Sequence, residues 1–305
     1  MNATKPVWRT RIGAIEVFRV EEMLGPGFDP AFLFPAYDKA VLAQHPMLAE
    51  PAYFDAATGR LMSSMQSWLV RTGAEIIIID TGCGNGKTRS HPAFRRFHQL
   101  DLPYLANLVA CGVRPEEVTM VINTHLHVDH VGWNTRLEGG RWVPTFPRAR
   151  YLMARAELAH WQNPEGGPRM QPEGVEAIAD SVLPLLDQAR VELFDPGDEI
   201  AAGVTIEAAP GHTPSQIAVR VASGAADGLF TADVFHQPMQ IVRPDWNSRY
   251  CELPDLAIAT RRRVLGEAAD AGSVLFPSHT GAPHAGRIGR GANGFHFIPL
   301  AMTEA

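Results

Sequence analysis

Cysteine is scarce in this chain: Cys83, Cys111 and Cys251 are the three in 305 residues. They are too few and too scattered for a disulfide framework or a thiolate-based zinc site, so a reducing cytoplasm is the expected setting. No apolar run approaches the ~20 residues that a bilayer crossing needs. The purest, Ile76 to Ile79, stops at Asp80, and no membrane partner is expected. Excess positive charge is also lacking. Lys+Arg 27 against Asp+Glu 33 leaves a net charge of -6, which excludes a broad nucleic-acid-binding face. The tight basic cluster Arg261 to Arg263 lies in a helix-like pattern and is expected on a solvated helix face. The first twenty residues interleave Lys5, Arg9, Arg11, Glu16 and Arg19 with apolar ones. They show neither an apolar core nor a small-residue cleavage site, so no secretory signal is expected. No Ser/Gly linker, low-complexity tract or short repeat interrupts the chain, and residues 1–305 read as one domain.

What is present is the composition of an ordinary globular protein, 46% hydrophobic and 20% charged. Residues 22–56 form an irregular opening rich in Pro and aromatics, including Phe28, Phe32, Phe34 and Tyr37. Such a stretch is a cover over the core, a dimer surface or a lid over a pocket. After it, short apolar runs bounded by turn residues predict buried strands at 67–71, 75–80, 118–123, 191–194, 204–208, 217–221, 229–232 and 273–276. Helical periodicity predicts helices at 92–111, 155–162, 174–189 and 254–271. Strands with helices between them in both halves make the class α/β, and tight Gly turns such as 71–74 imply mixed sheets.

Directly after the strand at 118–123 comes His125-x-His127-x-Asp129-His130, four metal-ligand side chains within six residues. At this chain's own His and Asp frequencies the pattern arises by chance in roughly one sequence in a thousand. Other strands deliver matching groups at their carboxyl ends: 204–209 leads to His212, 229–232 to Asp233 and 273–276 to His279. That edge is where α/β sheets place ligand sites. Five imidazoles and two carboxylates exceed one tetrahedral zinc and suit two ions sharing a bridge.

With Ile79-Asp80-Thr81-Gly82 before the motif and Pro210-Gly211-His212-Thr213-Pro214 after it, the chain resembles the metallo-β-lactamase superfamily over about residues 65 to 285. The resemblance implies an αβ/βα four-layer sandwich of two mixed sheets in pseudo-symmetric halves. It assigns His125, His127 and His212 to one Zn²⁺, Asp129, His130 and His279 to the other, and Asp233 with a hydroxide between them; iron, manganese or cobalt can take zinc's place. Two Zn²⁺ less Asp129, Asp233 and hydroxide leave a centre of about +1, able to polarise a carbonyl and to supply hydroxide near neutral pH. Asp80 would hydrogen-bond a ligand imidazole, or else cap a strand-end turn.

His236, three residues after Asp233, is either a substrate-facing donor or general acid, or a loop-packing residue. His284 falls on the expected rim of the same site. Trp133 belongs to the core or to a pocket wall, and Phe28 and Phe32 would roof an apolar pocket, from a partner subunit in a homodimer. The run from Thr81 to Thr88 misses a phosphate-binding loop by one glycine and reads as a turn, with Cys83 structural. The expected activity is hydrolysis of a small ester or lactone by the bridging hydroxide. The Gly211-to-Gln216 context is similar to the branch of acyl-homoserine-lactone lactonases and methyl-parathion-type hydrolases. Phosphotriesters, glutathione thioesters and aryl halides remain open as substrates, and a di-iron redox protein is the non-hydrolytic alternative. Arg287 and Arg290 are the basic residues a glutathione-binding relative would need.

Overall fold

The apolar runs of the sequence form the centres of two mixed β-sheets, and a computed structural model describes residues 7–292 and 294–300. The first sheet is built from β1 (Arg9–Ile12), β2 (Ile15–Pro26), β3 (Phe54–Asp55), β4 (Arg60–Arg71), β5 (Ile76–Ile79) and β6 (Met120–Asn123). A separate hairpin, β7 (Thr135–Glu138) and β8 (Arg141–Pro144), precedes its last strands, β9 (Arg150–Ala154) and β10 (Val191–Phe194). The order is β1-β2-β4-β5-β6-β9-β10, with β3 on β4. The second sheet runs in sequence order through β11 (Glu199–Ala201), β12 (Val204–Ala208), β13 (Ile217–Ser223), β14 (Ala226–Ala232), β15 (Val274–Pro277), β16 (Gly286–Gly291) and β17 (Gly294–Pro299). Among described residues the chain divides into two compact units, one of residues 7–22 and 66–195, the other of 23–65 and 196–300. Strands β2 and β4 each run from one unit into the other.

Each unit holds one parallel pair that matters for function. In the first, β5 and β6 lie parallel with Ile79 opposite Ile122. Ile77, Ile78 and Val121 are fully buried, which explains an unbroken apolar run instead of alternation. Each such side chain contributes about 2 kcal/mol of burial. In the second, β14 and β15 lie parallel, with a register shift between Phe230 and Ala232. Strand β12 is antiparallel to β13 and β13 to β14, so the carboxyl ends of β12, β14 and β15 share one edge.

Helices Arg155–Gln162 and Pro254–Ala271 match their expected limits. The latter opens with Pro254 in its first turn and stops where Gly272 turns left-handed at φ 68°. It buries Ala257, Thr260, Arg261, Val264, Leu265 and Ala268, the i, i+3, i+4 stripe that faces a core, its last three members packing with Leu229, Phe235 and Leu275.

Four expectations need correction. Residues 92–111 are not one helix but a 3₁₀ turn, Pro92–Phe97, and a helix, Tyr104–Ala110; Pro103 has no N–H to continue the ladder and Gln99 sits at φ 50°. Residues 174–189 break at Val182 into Val175–Ser181 and Leu183–Asp187. The ring of Pro184 excludes the carbonyl of Asp180, which bonds Lys87 and Thr135 instead. Residues 22–56 are partly regular: β2 reaches Pro26 and short helices cover Pro30–Leu33 and Ala40–Gln44. Their Leu33, Phe34, Val41 and Leu48 pack with Leu61, Met239 and Trp246 in one hydrophobic cluster of the second unit. Arg261, expected in solvent, is fully buried; Arg262 and Arg263 are exposed. Among the described residues no helix is long and apolar enough to cross a membrane.

Candidate metal centre

In the first unit, β6 ends at Asn123 and the chain turns through Thr124 into His125, His127, Asp129 and His130. His125, His127 and His130 are buried, and Asp129 is half-buried. His125 Nε2 lies 3.1 Å from His127 Nδ1, and the rings of His125 and His130 are 4.0 Å apart. Two ring nitrogens at 3.1 Å cannot both bear a proton on the shared line, so at least one offers a lone pair. Asp80, at the end of β5, fixes this loop. Its carboxylate accepts from the Thr124 amide and hydroxyl, each at 2.8 Å, and lies 2.8 Å from His130 Nδ1. That leaves His130 Nε2 for a cation, 3.7 Å from Asp129. Asp80 holds a left-handed φ of 55°, which costs about 1 kcal/mol and aims its side chain into the next strand's loop.

The second unit gathers its groups from three strand ends. Asp233 Oδ2 lies 3.3 Å from His212 Nε2 and 3.2 Å from His236 Nε2; Oδ1 lies 3.0 Å from His279 Nε2. All four residues are buried. The other nitrogens of the strand-end imidazoles face anchors: His279 Nδ1 is 3.0 Å from the Ser64 carbonyl and His212 Nδ1 is 3.9 Å from Cys251 Sγ. The donor atoms of His212, Asp233 and His236 all fall within 4.8 Å of one another. Nδ1 anchored and Nε2 turned toward a shared carboxylate is the arrangement by which imidazoles hold a divalent cation. The residues of each unit therefore fit metal binding. Here the left-handed residue is Ala232, at φ 48°, immediately before Asp233.

The sequence profile of the metallo-beta-lactamase superfamily matches residues 65–279, more than half of the chain. The chain belongs to the metallo-beta-lactamase superfamily. Over 104 residues it is 32% identical to an N-acyl homoserine lactonase of Bacillus sp; that stretch is 34% of this chain and 32% of the relative, so it spans about a third of the relative's length. Among solved structures it is similar to hydrolase AbOPH of the beta lactamase superfamily, with TM-score 0.82 and 22% identity over 99% of this chain and 100% of that one. It is also similar to AidC, a dizinc quorum-quenching lactonase, with TM-score 0.78 and 21% identity over 98% of each chain. A probable metal-dependent hydrolase from Staphylococcus aureus follows at TM-score 0.77 and 18% identity, over 96% of this chain and 100% of that one. These likenesses show the α/β metallo-β-lactamase fold expected from the sequence.

Within this superfamily member the remaining candidates separate. His236 stands on Asp233 beside His212, with ring centroids 5.0 Å apart. Its amide is fixed by Gln240 Oε1 at 2.6 Å. His284 is buried at φ 71°, its Nδ1 2.8 Å from the Thr280 carbonyl. Trp133 is buried: it stacks on Tyr104 and donates to Glu22 at 2.7 Å, and it also borders a cavity with Asn85, Gln99 and Arg136. Phe28 stacks on Phe32, which is 40% exposed and lies under the Arg249 guanidinium. Arg290 is held by both oxygens of Asp270.

Several residues that shape the centre carried no sequence signal. Glu22, buried on β2, accepts from the Cys83 and Gly84 amides as well as from Trp133. Burial pushes its carboxyl above the ordinary range despite these donors. It thereby fixes the loop whose Thr81 amide holds the His130 carbonyl at 2.8 Å. Cys83 is buried in that loop and its thiol is pushed well up by burial, which makes it structural. Glu157, also buried, accepts from the Leu126 amide between His125 and His127 and from Trp161.

Proposed function

We propose that this protein is a metal-dependent hydrolase that opens a small ester or lactone at a centre of two zinc ions. The ligands we assign to it are His125, His127, Asp129, His130, His212, Asp233 and His279, and we take the whole chain as one catalytic domain. The observation that carries the reading is Asp233, with both oxygens facing imidazole Nε2 atoms at 3.0 to 3.3 Å. A shared carboxylate of this kind is what a two-ion site needs at its middle. The set of nitrogen and oxygen donors without thiolate suits zinc, with iron, manganese and cobalt as competitors. The lactonase relatives support a lactone as substrate.

When bound, the two cations polarise the scissile carbonyl and make hydroxide available near neutral pH. The chain's own residues do the rest. Asp80 holds the proton on His130 Nδ1, so that Nε2 stays open. The Ser64 carbonyl does the same for His279. His236 is the group we assign to the leaving alkoxide. Its Nε2 lies 3.2 Å from Asp233 Oδ2, which places a proton-carrying ring beside the shared carboxylate. Phe28 and Phe32 form the aromatic surface we assign to an acyl chain. The pairing of Arg290 with Asp270 removes one cation a glutathione thioester would need.

The test is metal analysis of protein produced with zinc, iron, manganese and cobalt all supplied. Assays on lactones, aryl esters, phosphotriesters and glutathione thioesters follow. Two zinc ions per chain with lactone or ester turnover is the expected result. Protein without bound metal and without turnover of any of the four classes would overturn the reading.

A further inference from the structure

Arg261 is a cation with no solvent contact in the middle of helix Pro254–Ala271. A guanidinium so placed is costly to desolvate, and burial pulls its pKa below the usual value. Its bonds reach two carbonyls and one side chain on two segments, one next to Asp233 and the other packed against His212. Nε donates to the Val234 carbonyl at 2.8 Å, one residue beyond Asp233. Nη1 donates to the Pro244 carbonyl at 2.8 Å and to Asn247 Oδ1 at 3.2 Å. The segment so held continues through Ser248, whose hydroxyl lies 3.6 Å from Cys251 Sγ, to the thiol itself, 3.9 Å from His212 Nδ1. The next amide, of Glu252, donates to the His212 carbonyl at 2.9 Å. The same helix presses on the other side of His212. Thr260 donates to the Pro210 carbonyl at 2.6 Å, and a Cβ on Gly211 would meet Ala257 Cα at 2.3 Å.

We propose that Arg261 is a positioning residue for the metal centre, a three-bonded clamp that fixes Asp233 through Val234 and His212 through the 244–252 segment. Planarity matters to the role. One guanidinium spans three acceptors on two chain segments in fixed geometry, which a lysine ammonium of equal charge does not reproduce. The inference rests on the proposed function, because it presumes that His212 and Asp233 bind metal.

Cobalt(II) binding separates the two. Arg261→Lys and Arg261→Met are compared with the parent and with exposed Arg262→Met by far-UV circular dichroism, chelator-competition affinity, cobalt absorption spectrum and the split between kcat and KM. The clamp predicts folded Arg261 variants with cobalt affinity weakened about 10- to 100-fold, a shifted absorption band and a loss carried by kcat, with Arg262→Met like the parent. Folded Arg261 variants with parental affinity and spectrum overturn it. Should they not fold, Asn247→Ala and Cys251→Ala each cut one limb. A several-fold loss of affinity in either supports the clamp, and parental affinity in both overturns it. A parent that binds no cobalt defeats the proposed function itself, whereas a binding parent with unaltered variants defeats the clamp alone.

Discussion

In the first unit four candidate metal-ligand side chains arrive on one loop of six residues, and the carboxylate of Asp80 at the neighbouring strand end holds that loop at three points. In the second unit His212, Asp233 and His279 follow three strands separated by tens of residues, and their contacts come from elsewhere in the chain: Cys251 at His212, Arg261 at Val234 beside Asp233, and Ser64 at His279. The first arrangement is local in sequence, with Asp80 as its main brace and Glu157 and the Thr81 amide as lesser ones. The second depends on tertiary scaffolding, so a fault far from the donors reaches them. Both place a non-glycine residue in left-handed backbone beside a key carboxylate, at Asp80 itself and at Ala232. Regular strand geometry would have pointed those carboxylates elsewhere.

The comparison can be broken most directly at the carboxylates. Asp233→Ala removes the group shared by three imidazoles and is expected to lower hydrolysis at least ~1,000-fold and bound metal below two ions per chain. Asp129→Ala, on a half-buried side chain of the local loop, is expected to lose less. Metal content and kcat/KM measured side by side check this, and the reverse ranking would end the claim that the dispersed half is the more dependent one. Next in size is Asp80→Asn. It keeps the shape and removes the anion facing His130 Nδ1, so cobalt affinity is expected to fall about 10- to 100-fold with the fold retained. An unchanged affinity would show that the loop holds itself.

The smallest effect sharpens the comparison by probing a buried ion cluster of the first unit outside the donor loop. Burial pulls Lys87 down to about 8, with Asp180 opposing the shift. The folded chain therefore sheds this proton near pH 8 while the unfolded chain keeps it to about 10.5. Between those values the unfolded state binds more protons, so this group's contribution to stability improves as pH rises. Relative to Lys87→Met, the parent should gain about 1 kcal/mol between pH 7.5 and 9, read from urea midpoints. Parallel profiles would show that Lys87 does not titrate in this window.

The legible parts of the molecule were those whose logic is short-range. The motif from His125 to His130 and the strand-end histidines announced themselves because residue type, spacing and flanking apolar runs all lie within a dozen residues. Helix 254–271 was readable from its Pro start and its periodicity. The stretches at 92–111 and 174–189 were misjudged because periodicity ran past Pro103 and Pro184, where a single missing N–H ends the ladder. Glu22 acts on residues 61 to 111 positions away and Glu157 on one 31 away, separations at which sequence alone carries no pairing signal. Arg261 was hidden in plain view, one of three adjacent arginines of which the fold turns one inward.

The path of the chain between the two units bears on how the protein is made. Leu33, Phe34, Val41, Leu48 and Leu61 emerge early from the ribosome, yet they pack with Met239 and Trp246. At ordinary translation speeds that leaves the aromatic opening segment waiting roughly 10 to 40 s for its partners, while the intervening unit is synthesised. Over that interval its apolar side chains lack the partners that bury them in the finished fold, the condition under which a growing chain is most open to aggregation.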